Sequence, residues 1–382
     1  MDGTLIRKRR GGVILTAFLM MMVLVLAACG SDSKSSDSTT TASGGSSSDF
    51  VAQAKQKVKD LEGDQSFPAL PSSPAPKANQ SIFIIEVDSS LEGVVRQGDG
   101  VRSAVDALGW KQTTVDGKSS PDAMAAGVER AVAEKANAII MVTANSTYIQ
   151  PAIDKAKAAN IPVVTMTSGS PTTGPDAITA EIVTVAYNKA MGETQGYFVV
   201  ADSDGKANAL VFNDTSFTTA PPISQGAYDI IKQCTTCKVQ PQIDFVSTDL
   251  ATKFSEQVRT ALTNNPDVNY VVVPYDAAAT FAVQGVRDAG KADSVQVVST
   301  GGNLSNLDLI AQGDIQTQTS AEPLEYFGWL SVDAVVRAQG GAEQIPFQAP
   351  VKILVKSNLP PSGQAWSGDS DFEAAFLKNW GK

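Results

Sequence analysis

The sequence predicts an α/β protein built of two doubly wound parallel-sheet lobes. Three observations carry that prediction. Short β-branched apolar runs alternate with longer amphipathic stretches, the alternation occurs twice over, and 382 residues suffice for two buried cores. In the first set the strands fall at residues 82–87, 111–115, 138–142 and 161–166. Between the first two, Val94, Gly98, Val101, Val105 and Leu108 share one helical face. Ser120-Pro121-Asp122 then opens a helix, with serine as N-cap, proline at the first helical position and an acid near the positive end of the macrodipole. Ile149, Ile153 and Ala156 mark a third helix. The second set has strands at 209–212, 239–246, 270–273 and 295–298, with Leu250, Phe254, Val258 and Ala261 as a helical face. Between the sets, 181–185 reads as a strand leaving the first lobe and 188–202 as a helix entering the second.

The front of the chain has a different character. Arg7, Lys8, Arg9 and Arg10 precede an apolar run from Val13 to Leu26, which ends in Ala27-Ala28-Cys29. This arrangement resembles a bacterial lipoprotein signal. It implies removal of residues 1–28, lipid on Cys29 as the membrane anchor and an extracytoplasmic address. Residues 30–49, almost entirely Ser, Asp, Thr, Gly and Lys, read as a flexible tether; 50–62 as a short helix; 67–76 as an extended proline-rich lead-in. The expected divisions are a signal at 1–28, a lead-in at 29–80, lobes at 81–187 and 188–300, hinge crossings and a return to the first lobe at 301–357, and a tail at 358–382. A formal net charge of −10 argues against a nucleic-acid partner.

Histidine is absent from the whole chain, which removes Ser-His-Asp and Cys-His catalysis and the usual zinc ligand sets. Cys234 and Cys237 form a CxxC pair that suits redox chemistry, half a metal site or a small disulfide. The pair follows a helix end and precedes a strand, and no second CxxC exists, so a structural disulfide is expected. No metal or other cofactor is expected, and the protein is expected to be a monomer and not an enzyme.

Residues 138–145 (AIIMVTAN) are followed by Ile149 to Ala152, Ala159-Asn160 and residues 161–164 (IPVV). Asn188 and Gly192 make an N-x-x-x-G, Pro274-Tyr275-Asp276 ends a strand before alanines, and Glu322-Pro323 precedes Gly328. In this order these segments resemble the periplasmic binding proteins of the ribose-binding type. The resemblance implies the type I fold with a multi-strand hinge, a solute held between the lobes, and delivery to the permease subunits of an ABC importer. A receptor read by a sensor kinase is the alternative, and a carboxylate-pair glycosidase a remote third.

Ligands in parallel α/β sheets bind beyond the carboxyl ends of the strands. The candidate cleft residues are therefore Asp88, Ser89, Asn145, Tyr148, Thr165 and Thr167 from the first lobe. From the second come Asn213, Asp214, Phe217, Tyr275, Asp276 and Asn303, and the resemblance adds Glu322. Short hydroxyls, amides and carboxylates with a few aromatics suit a sugar or polyol. The chain departs from the sugar-binding pattern at Thr300 to Asn303, where the family's carboxylate is missing, and no arginine falls in a predicted cleft loop. That disfavours an anion and leaves a small neutral or cationic solute, with Asp88, Asp214 and Asp276 as its expected acceptors.

Overall fold

Residues 47–382 are described by the computed structural model; the signal-like segment, Cys29 and the tether as far as residue 46 lie outside the described residues. Helix α1 (Ser47–Glu62) buries Val51, Ala54 and Val58, one stripe at helical spacing. The first lobe follows: β1 (Ser81–Glu86), α2 (Glu92–Ala107), β2 (Lys111–Asp116), α3 (Pro121–Ala133), β3 (Ala138–Val142), α4 (Gln150–Ala158), β4 (Val163–Met166) and β5 (Ala180–Ile182). All five strands are parallel, in the order β2-β1-β3-β4-β5. Every residue of β3 is buried, as an inner strand covered by helices on both faces requires. Ser120 caps α3 by accepting from the Ala123 N–H, with Pro121 at the first position.

The second lobe opens with α5 (Val185–Asp202), β6 (Asn208–Asp214), α6 (Ala220–Gln233), β7 (Lys238–Val239) and β8 (Ile243–Phe245). It continues through α7 (Ser255–Asn264), β9 (Tyr270–Val272), α8 (Asp276–Asp288), β10 (Gln296–Gly301), α9 (Leu304–Gln312) and β11 (Gln316–Ala321). Its sheet runs β7-β6-β9-β10-β11, with β8 continuing beside the upper half of β6. The single strand expected at 239–246 is broken in two, because Pro241 between β7 and β8 has no N–H to give a ladder.

Two further expectations are corrected by the last third of the chain. Of the elements within 301–357, α10 (Leu324–Gly340) returns to the first lobe, whereas β11 pairs with β10 and β12 (Lys352–Val355) pairs antiparallel with β11. The hydrogen bonds of β11 are taken on both sides within the second sheet, so 301–357 does not move across as a block. Nor is 358–382 a tail: α11 (Phe372–Asn379) inserts Phe372 and Phe376 into the first lobe's core, and Trp380 stacks on Trp329 at 5.4 Å.

Glycines set the closest helix contacts. A Cβ on Gly328 of α10 would lie 2.3 Å from the Val101 N of α2, and one on Gly192 of α5 only 1.7 Å from the Ile223 O of α6. Gly192→Ala must therefore push α5 off α6, and we expect a loss of about 2 kcal/mol, read as a lower urea midpoint. An unchanged midpoint would show that the two helices separate without cost.

Candidate ligand cleft

The two sheets present their carboxyl ends to each other, and the lobes touch there at two places. On one side the Leu304 N–H of α9 donates to Glu92 Oε1 of α2 at 2.6 Å, and Arg96 Nη1 donates to the Gly302 carbonyl at 3.0 Å. On the other, Thr218 Oγ1 donates to the Ser168 carbonyl at 2.6 Å. These bridges spring from the ends of β1 and β4 in the first sheet and of β10 and β6 in the second. Strand order then places the loops after β3 and β9 between them. The intervening space is the cleft.

The structure divides the sequence-predicted residues into those already committed and those with capacity to spare. Asp276 is 1 % exposed, and its carboxylate accepts from the Ser299 and Thr319 hydroxyls and from the Asn303 N–H. Asp214 is fully buried and accepts from the Ser216 N–H and the Tyr275 hydroxyl. Asp88 is held by Ser90 and by the Ser119 hydroxyl at 2.8 Å. Each of these three carboxylates thus accepts two or three hydrogen bonds that order the strand-end turns. Ser89 likewise donates to Glu86 Oε2, and Thr167, at φ +49°, donates to Gln97. Asn145 Oδ1 caps the turn at Thr147, and Tyr148 stands 57 % exposed on the rim.

Capacity remains elsewhere. The Thr165 hydroxyl and Asn213 Oδ1 are buried without a partner among the described residues, although Asn213 Nδ2 donates to Asp244 at 2.7 Å. Asn303, next to the interlobe bridge, turns its side chain toward Gly93 of α2. Phe217 and Tyr275 meet edge to face at 6.1 Å and form an aromatic wall on the second lobe.

Glu322 differs from the other acids. It follows β11 directly before Pro323, is half-buried, and its carboxyl receives no hydrogen bond among the described residues. Burial pushes its pKa up to about 8; the nearby Arg96 guanidinium opposes this and the charge of Asp276 adds to it. Arg96 gives it no hydrogen bond, because that guanidinium is spent on Glu325 (2.8 and 3.1 Å) and on the Gly302 and Trp366 carbonyls. Burial also raises Asp276 to about 6, against its donors. Glu181 rises to about 7 by burial, although it accepts from the Ser170 N–H and so holds the loop that reaches Thr218.

Sequence reasoning missed Glu92, Arg96, Gln97, Ser168 and Thr218. The first three lie on α2, where a polar residue in an amphipathic pattern reads as solvent-facing. The signal available was Gly93, Gly98 and Gly100, whose spacing marks a helix that another chain segment approaches closely. A groove of about 790 Å³ also opens on the second lobe beside β8 and α7, lined by Phe245, Asp249, Lys253 and Glu256 among others. Its charges are paired among themselves, Lys253 with Asp249 at 2.9 Å and Glu256 with Arg259. The interlobe cleft, where the strand-end loops of both lobes converge, is the candidate site.

Geometry of this kind defines a two-lobed solute receptor, and comparison with known proteins agrees. Residues 83–343 match the periplasmic binding protein domain, and the chain belongs to that family. It is 24% identical over 231 residues to the D-apiose import binding protein of Actinobacillus succinogenes, covering 59% of this chain and 71% of that one. Among solved structures it resembles an ABC sugar transporter subunit from Rhodobacter sphaeroides, with TM-score 0.61, 23% identity and coverage of 73% of this chain and 99% of that one. It also resembles a solute-binding protein from Agrobacterium vitis bound to α-D-tagatopyranose, with TM-score 0.66, 19% identity and coverage of 74% and 97%. These structural likenesses confirm the type I fold. The family is one of substrate-binding transport proteins with an extracytoplasmic place of work. Among the described residues no helix is long and apolar enough to cross a membrane, and no cluster of potential metal ligands occurs.

The raised acids make stability depend on pH in a definite sense. Their folded pKa values exceed the unfolded ones, so the folded state retains protons that the unfolded chain has lost. Their contribution is complete below about pH 4 and declines as pH rises through 6, 7 and 8. Glu322→Gln removes the share between 4.5 and about 8, so its urea midpoint should fall less between pH 5 and pH 8 than that of the parent. An equal fall in both would place the Glu322 carboxyl in water. Asp276→Ala strands three donors and should cost about 3 kcal/mol in the same assay.

Proposed function

We propose that this protein is the membrane-tethered, extracytoplasmic solute-binding component of an ABC importer, and that it takes a sugar or polyol into the interlobe cleft and hands it to the permease. The observation that supports this reading is the Glu322 carboxyl, half-buried just past β11 and without a hydrogen bond among the described residues. A half-buried acid in that condition bonds to water or to a donor that a ligand brings in its place. Asn213 Oδ1 adds a second unmet acceptor and the Thr165 hydroxyl an unmet polar group, so a ligand rich in hydroxyls fits the set. The Phe217–Tyr275 wall offers apolar faces to a sugar ring. Relatives point the same way, since their names and bound ligands include D-apiose, allitol, D-allose and α-D-tagatopyranose. Asp88, Asp214 and Asp276 act here as positioning residues for the loops that hold Ser89, Asn303 and Tyr275.

The lipoprotein-like front supplies the rest of the reading. Lipid on Cys29 anchors the receptor, and the serine-rich tether lets a monomer range over the membrane surface before it docks.

A thermal-shift panel of monosaccharides, polyols, amines, nucleosides and amino acids tests the proposal. A cognate sugar at a hundred times its dissociation constant should stabilise the protein by about 2.7 kcal/mol. Glu322→Ala should weaken that sugar about tenfold, the loss of one hydrogen bond. A panel in which amines alone shift the melt would overturn the carbohydrate reading. Cys29→Ser should move an intact protein of unchanged affinity from membrane to soluble fractions; retention on the membrane would remove the lipid anchor.

A further inference from the structure

Three passages of chain join the lobes in the body of the protein: from β5 to α5, from β11 to α10, and from α10 to β12. The two chain ends add two more. Helix α1 lies on the second lobe, where Val58 packs with Phe198, Ile231, Val272 and Ile353. A few residues beyond Glu62, Phe67 is already in the first lobe, 4.5 Å from the Tyr326 ring and 5.2 Å from that of Phe372. The other end makes the same passage. Trp366 packs with Leu307, Ala321 and Leu354 of the second lobe, whereas Phe372 and Phe376 belong to the core of the first.

The two added passages are tied together where they cross. Asp369 accepts from the Gln65 N–H of the N-terminal passage at 2.7 Å and from Trp366 Nε1 of the C-terminal one at 2.9 Å. Both its oxygens also accept from Lys352 Nζ of β12 at 3.0 Å. Beside it, Gly368 is at φ +114°, and a Cβ there would fall 2.2 Å from the Phe67 ring, so the passages are in contact. The Trp366 carbonyl accepts from Arg96 at 3.1 Å, which connects the crossing to the interlobe bridge.

We propose that the two chain ends form a brace across the hinge, locked at Asp369, that limits how far the lobes separate when the cleft is empty. A hinge opens by changing the backbone angles of a few residues in each passage. Each extra passage that is bonded to both lobes must lengthen or break its bonds before opening proceeds. A braced receptor meets its solute partly closed, and less of the binding energy goes into closure. This consequence rests on the proposed solute capture; the brace itself does not.

Hydrogen exchange on the ligand-free, full-length protein tests the brace. The reporter is the Leu304 amide, whose hydrogen bond to Glu92 spans the lobes. The controls are core amides of each sheet, Ile84 and Val211. In Asp369→Ala the Leu304 amide should exchange about tenfold faster, the change that loss of a charge-assisted bond brings to an opening equilibrium. The controls should hold their rates, and Asp369→Asn should give a smaller effect in the same direction. Unchanged Leu304 exchange in both variants would overturn the proposal. So would parallel acceleration of the controls, which would make Asp369 a support of the whole fold rather than of the hinge. Because no solute is added, either outcome leaves the cleft's function to its own test.

Discussion

One guanidinium holds the account together. Arg96 is 7 % exposed, and its donors reach Glu325 on α10, the Gly302 carbonyl of the second lobe and the Trp366 carbonyl of the C-terminal segment. The bidentate pair with Glu325 fixes the planar group, which can then point its remaining N–H groups at carbonyls from two other parts of the chain. Because those donors are spent, the neighbouring Glu322 carboxyl takes no hydrogen bond from Arg96. The same residue thus keeps the lobes in register and leaves an acceptor for what comes between them.

Around that centre the strand-end acids gather donors from neighbouring turns. Asp276 collects Ser299, Thr319 and Asn303; Asp214 collects Ser216 and Tyr275; Asp88 collects Ser90 and Ser119. Each acid turns a strand end into a rigid loop, so neighbouring side chains face the cleft without further ordering cost. The groups that remain for a ligand are acceptors, hydroxyls and side-chain amides such as those of Asn145 and Asn303. A small, hydroxyl-rich solute suits such a site better than a large or anionic one.

Much of the fold was legible in the sequence because parallel strands covered on both faces leave an unambiguous signature. The run at 138–142 is entirely apolar and entirely buried, and the Ser120-Pro121 start of α3 reads directly from capping chemistry. Legibility failed where a decision was made between segments distant in sequence. Nothing local tells that β11 stays in the second sheet while α10, three residues later, packs on α2. The site was half legible for the same reason. Strand-end positions identified the loops, but whether an aspartate there faces solute or its own turn depends on donors such as Thr319, which lies far along the chain. Arg96, hidden in a helical pattern, gave no sign of spanning the lobes.

The central claim is that Glu322 is the acceptor the protein leaves for its solute. A crystal structure of the protein with the sugar or polyol that stabilises it most tests this directly. The account predicts a ligand hydroxyl donating to the Glu322 carboxylate at about 2.7 Å, between the Thr165 and Asn213 walls, with Arg96 still on Glu325. A ligand bound between the lobes with Glu322 unengaged, or with Arg96 turned away from Glu325 to pair with Glu322, would contradict it.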